Sequence, residues 1–461
     1  MRVDATRRGI RLGLLAVACL GVACAEEGPP DILLITCDTL RPDHLGLYGY
    51  ERRTSPNLDE LFQSGAIYER AYATEANTPP SVVSLLSGQH PQDHGVRIFY
   101  QLLRDEVQLL PDLLPDTYQT AAFVSNVVLT DEALGIGGRF DHYDDFVDEQ
   151  EPKRVIYERR AERTTAAALR WLEDAWDPQR PLFLWVHYID PHGPYRPPEA
   201  APVRFDHEGS VPVENRRIQS YQAEAGISDA LFYVDRYDEE IAYFDDSLGD
   251  LIEAYAARKS LEDALLAFTA DHGESMLEHE NWFTHGYQVY EEIIRVPLLL
   301  RGPGIEAGRH DALVSGVDLV PTLLRAAGVP SAPSLPGLPL QEPLPEDRVV
   351  EAEAFQATHS WRAALRGQSK WTFVTTPDGV AERRYYDLAE DPGEIAQREW
   401  SAGPTPPEAQ VKRALADPDR PRSAGTGRGD RGVRLSAPKV DPRVSERQLE
   451  QLRALGYVGD E

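Results

Sequence analysis

The chain has 461 residues, with 47 Lys and Arg against 76 Asp and Glu and a formal net charge of −29. That length accommodates one large domain and a smaller companion. The charge excludes long-range attraction to nucleic acid or to an anionic bilayer, so an anionic substrate needs local devices: a metal ion, a helix N-terminus, a few histidines.

In chain order, Arg7, Arg8 and Arg11 precede an apolar stretch from Leu12 to Ala23. The stretch is short for a membrane span and has the order of a secretory signal. Gly21-Val22-Ala23-Cys24 resembles a bacterial lipobox, with Cys24 acylated and Gly21 where leucine is usual. Cleavage after Ala25 is the alternative. Residues 1–24 therefore read as a signal peptide of lipoprotein type, and the protein as exported, either periplasmic or anchored to the outer membrane by lipid. Past Cys24 only Cys37 remains, which leaves no intrachain disulfide in the mature chain.

Asp31–Cys37 is a continuous apolar run, the pattern of a strand buried on both faces. The runs 121–125, 182–188, 265–270 and 295–300 look alike. Between them, 160–174, 241–255 and 317–327 carry apolar residues at helical spacing. Strands alternating with helices predict an α/β fold, a largely parallel sheet with helices on both faces, over 30–345. A small antiparallel sheet with a helix is expected over 346–400, where 361–374 and 383–388 read as strands. Residues 401–444 read as an unstructured linker, Asp417–Val444 being rich in Arg, Pro, Gly and Asp with few apolar residues, and 445–461 as a short terminal helix.

Parallel sheets collect functional residues beyond the carboxyl ends of their strands. Four such ends carry polar side chains: Asp38, Asn126, Asp190-Pro191-His192 and Asp271-His272. A carboxylate leaving a buried strand needs a partner. Beside Asp38, the adjacent carboxylate and imidazole of Asp271-His272 can face one cation, with Gly273 permitting the bend. Thr78 precedes Pro79 and Pro80, where a helix begins. A hydroxyl there could attack an ester beside a metal, or could merely cap the helix. Ser81 falls inside the first turn and reads as a local hydrogen-bonding residue.

The motifs Thr36-Cys37-Asp38-Thr39-Leu40-Arg41-Pro42-Asp43-His44, Thr78-Pro79-Pro80-Ser81-Val82-Val83-Ser84-Leu85-Leu86-Ser87-Gly88, His187-Tyr188-Ile189-Asp190-Pro191-His192-Gly193-Pro194 and Asp271-His272-Gly273-Glu274 occur in this order. With His285-Gly286 and Arg295-Val296-Pro297 they resemble the sulfatase branch of the alkaline phosphatase superfamily over about residues 31–400. The resemblance implies an alkaline-phosphatase-like fold and a metal-dependent ester hydrolase or transferase. It implies Asp38, Thr78, Asp271 and His272 as ligands of one or two divalent cations, with Asp190 helping a second. Thr78 would be the nucleophile, and His285 and His192 would contact ester oxygens or protonate the leaving alcohol. His187 reads as a core histidine, His279 is undecided, and His44, His94 and His142 read as surface or loop-bracing residues.

Five positions depart from the sulfatase pattern. Thr78 stands for the Cys or Ser that becomes formylglycine, and its methyl group occupies the carbon that must be oxidised. Val82 replaces the supporting arginine and Thr39 an acidic ligand, while His272 stands for Asn and His285 for Lys. Imidazole favours zinc or manganese, with calcium the remaining option. The departures point to phosphate esters ahead of sulfate esters, resolved from a covalent Thr78 intermediate. Sulfate hydrolysis by unmodified Thr78, and a non-catalytic envelope binding protein, are the other readings.

Overall fold

A computed structural model describes residues 28–147, 149–150, 157–198, 204–330, 335–356 and 358–417. The signal segment with Cys24 and the terminal helix expected at 445–461 lie outside the described residues.

Eight strands define the large sheet: β1 (Asp31–Cys37), β2 (Ala66–Tyr72), β3 (Gln119–Val124), β4 (His142–Asp144), β5 (Leu182–Tyr188), β6 (Ala264–Ala270), β7 (Leu298–Arg301) and β8 (Gly308–Ser315). Their order is β8-β2-β7-β6-β1-β5-β3-β4, with the short Arg295–Val296 strand pairing to β2. Only β7 and that short strand run against the rest. β1, β5 and β6 are buried at every position, as their unbroken apolar runs require.

The main helices are α1 (Pro56–Phe62), α2 (Thr78–Ser87), α3 (Ala161–Asp174), α4 (Ala230–Ala256) and α5 (Leu319–Ala326). α4 packs on α1 and α3, and α2 packs on α5. α4 begins eleven residues before the expected 241 because Asp229 caps it, its carboxylate accepting from Leu231 N at 3.1 Å.

A second sheet of four consecutive antiparallel strands follows: β9 (Val350–Phe355), β10 (Ser360–Arg366), β11 (Ser369–Thr376) and β12 (Gly379–Asp387). It docks beside the start of α2, where Glu353 N donates to Thr74 O and Ala76 N to Glu353 O, both at 3.0 Å. Part of the stretch expected as a linker from 401 is ordered. Helix α6 (Glu408–Ala416) sets Val411 and Ala414 against Phe373. Asp417 is then held by Arg97 and Arg362, each at 2.9 Å, so ion pairing orders a stretch whose composition lacks apolar residues. The rest of that linker, from 418, lies outside the described residues.

Candidate active site

The register of the sheet assembles the site. Cys37 pairs with Tyr188 on one side and with Ala270 on the other, so β1, β5 and β6 end level. Asp38 N continues the ladder to Tyr188 O at 2.9 Å, and Asp271 N to Cys37 O at 3.2 Å. Asp38 and Asp271 therefore leave adjacent strands at the same height, and both are fully buried.

Asp38, Asp271 and His272 each present a ligand atom within 4.8 Å of the others. His272 Nε2 lies 3.9 Å from Asp38 Oδ1 and 3.5 Å from Asp271 Oδ2. Its Nδ1 donates to Gly273 O at 2.9 Å, which leaves Nε2 as the electron-pair donor. Asp271 Oδ1 accepts from His272 N at 2.8 Å and Thr39 N at 3.2 Å, while Oδ2 has no partner among the described residues. Thr39 reaches that position with φ +57, a left-handed conformation that a β-branched residue adopts only under constraint. Gly273 is needed for space rather than for its φ, since a Cβ there would meet Glu292 O at 2.2 Å.

Thr78, the first residue of α2, is fully buried. Its Oγ1 lies 3.4 and 3.3 Å from the two oxygens of Asp38 and 3.4 Å from His272 Nε2. The helix start differs from the expected anion trap in one respect. Pro79 and Pro80 carry no N–H, and Ser81 N donates to Asn77 O, so of the first-turn amides only that of Thr78 stands beside the axial dipole. Ser81 Oγ donates to Asp271 O at 2.6 Å, a bracing contact rather than a nucleophile's environment.

Burial alone would raise the Asp38 carboxyl, but His192, His187 and His272 outweigh it and hold the group well below the ordinary range. The Asp271 carboxyl is pushed up, first by burial and then by the charge of Asp38. Two facing buried carboxylates, one with an unpaired oxygen, together with a donor imidazole and a hydroxyl, fit a divalent cation.

Two further histidines, His285 and His192, stand beside His272. The His285 ring centroid is 4.6 Å from that of His272 and 5.1 Å from that of His192. His285 Nδ1 contacts Glu274 Oε1 at 3.1 Å, and Tyr195 OH donates to Glu274 Oε2 at 2.9 Å. His192 Nδ1 donates to Gly193 O at 2.7 Å. Both rings are thus oriented through Nδ1.

Asp190 is not with this group. Its surroundings are Glu158, Arg160 and Glu240, and burial followed by the Glu158 charge pushes its carboxyl up to about 7. The carboxylate of Asp190 is not grouped with Asp38, Asp271 and His272. His187, expected in the core, is fully buried; its Nδ1 contacts Thr36 Oγ1 at 2.9 Å and its Nε2 lies 3.8 Å from Asp38 Oδ2. Asn126 Nδ2 donates to Asp38 Oδ2 at 2.6 Å. Glu274 and Tyr195 were missed as functional residues, although Glu274 stands inside the quoted Asp-His-Gly-Glu motif. His44 and His94 do brace loops, through Asp238 and Ser84 at 2.6 and 3.1 Å. His279 pairs with Glu292 at 2.9 Å and stacks on Tyr290, with centroids 3.6 Å apart.

A mixed, mostly parallel sheet with an acid-imidazole-hydroxyl cluster at its carboxyl edge describes an alkaline-phosphatase-like ester hydrolase. The sulfatase family profile matches residues 30–329, and the chain belongs to the sulfatase family. It is 25% identical to mouse iduronate 2-sulfatase over 414 residues, covering 70% of this chain and 74% of the relative. To the arylsulfatase of Clostridium perfringens it is 24% identical, covering 79% and 89%. The phosphonate monoester hydrolase of Agrobacterium radiobacter shares the fold with a TM-score of 0.65 at 20% identity, over 84% of this chain and 94% of that one.

Proposed function

We propose that this sulfatase-family hydrolase acts through unmodified Thr78 as nucleophile, with phosphate and phosphonate esters ahead of sulfate esters. The observation that carries the reading is the Thr78 hydroxyl 3.3–3.4 Å from both Asp38 and His272. Asp38, Asp271, His272 and Thr78 would hold one divalent cation, zinc or manganese by preference since His272 offers nitrogen. Such an ion supplies a lowered pKa for a coordinated hydroxyl and charge stabilisation for ester oxygens.

Thr78 Oγ, its hydroxyl proton released to solvent, forms the bond to phosphorus, and the bond to the leaving alcohol breaks. His285, oriented by Glu274, gives that alcohol its proton, and His192 hydrogen-bonds the ester's outer oxygens. Water, or an acceptor alcohol in a transferase, then displaces Thr78 Oγ. The basic and apolar N-terminal pattern ending at Cys24 supports an exported enzyme.

The curated relatives named as sulfatases favour a second reading, sulfate-ester hydrolysis by the same threonine. Rates on bis(4-nitrophenyl) phosphate, 4-nitrophenyl phenylphosphonate and 4-nitrophenyl sulfate, each with zinc, manganese or calcium, separate the two. We expect the phosphorus esters to be faster by about tenfold or more, each 1.4 kcal/mol of barrier being one decade. A faster sulfate ester would install the second reading. Thr78→Ala lowers kcat by at least about a thousandfold with the fold intact by circular dichroism. An unchanged rate in that variant would sink the nucleophile.

A further inference from the structure

Beside His285 lies a small cavity whose walls include Asn77, Tyr287, Phe355 and Gln356, with room for a single water-sized group. Gln356 follows β9 of the small sheet and is 5% exposed. Its Nε2 donates to Gly286 O at 2.6 Å. A carbonyl receives only donors, so this contact fixes which way the amide points. Oε1 is then directed away from Gly286, and it has no partner among the described residues. Buried acceptors are rarely left so unless something else supplies the hydrogen.

The cavity is not an anion site. The nearby Arg97 guanidinium is engaged by Glu353 at 2.7 Å and by Asp417 at 2.9 Å, and it lies 4.2 Å over the Phe355 ring. Asn77 Nδ2 is directed at Glu75 Oε1 and Gly286 O, at 3.3 and 3.4 Å. What the cavity lacks is one donor, at a point adjoining the histidine assigned to the leaving alcohol.

We propose that Gln356 Oε1 selects esters whose alcohol half carries a hydroxyl or amine next to the ester oxygen. The small sheet thereby contributes a specificity residue to a centre otherwise built by the large one. The inference rests on the ester-hydrolase reading, in which His285 faces the leaving alcohol.

The test compares 4-nitrocatechol and 4-nitrophenol esters, which differ by one hydroxyl beside the ester, as sulfates and as phosphates. After correction for uncatalysed rates, kcat/KM in the wild type should favour the catechol ester by about tenfold, the worth of one buried hydrogen bond. Gln356→Leu should bring the two esters together. Gln356→Glu also loses the Nε2 bond to Gly286 but keeps an acceptor, so it should retain the preference and thereby exclude a mere loop shift. Equal kcat/KM for both esters in the wild type, or the same ratio in wild type and Gln356→Leu, overturns the proposal. Thr78→Ala is a separate arm: turnover surviving in it refutes the nucleophile, while the ratio still reports on Gln356.

Discussion

The two walls of the candidate site are fixed by different physics. Asp38 and Asp271 ride on the ends of adjacent buried strands, so their separation is set by the hydrogen-bond ladder itself. His192 and His285 stand on loops, and their rings are aimed by side-chain contacts, among them those to Gly193 O and Glu274 Oε1. The first wall is set by backbone pairing between strands, whereas the second depends on side-chain contacts such as that of Glu274. Substitutions should therefore act on binding of the ion at one wall and on turnover at the other.

The largest effect is expected at the strand ends. Asp271→Asn should weaken divalent-metal binding by at least about 100-fold, measured by competition with a chelator. In chelator the same variant should melt about 2 °C above the wild type, because burial and the Asp38 charge already oppose ionisation of Asp271. Metal affinity equal to wild type would break the assignment of this wall. At the second wall, Glu274→Gln should lower kcat by about 10- to 100-fold with KM and metal content little changed. Lost metal in that variant would merge the two walls into one. Tyr195→Phe removes only the bond that steadies Glu274, and a fall in kcat of about fivefold is expected.

The same division explains what the sequence made legible. β1 and β5 match their expected limits because unbroken apolar runs mark strands buried on both faces. β2 and β8 escaped notice because Glu69 and Arg70 in one, and Arg309, His310 and Asp311 in the other, interrupt the apolar pattern near the sheet edge. Asp38, Asp271, His272 and Thr78 could be found because each sits at the end of a readable strand or the start of a readable helix. Tyr195, Glu274 and His285 meet across 79 and 11 residues, a proximity that no local pattern encodes. Asp190 shows the converse: neighbouring His192 in sequence, it turns instead towards Glu158 and Glu240.

Pro79 and Pro80 give the helix start a further consequence. Amide hydrogen bonds are directional, and a ring of them would fit the bond lengths and angles of one oxyanion. An axial dipole has no such geometry and responds to charge alone. With only the Thr78 amide left in the first turn of α2, recognition of the transferred group falls to side chains and to a bound cation rather than to a ring of amides.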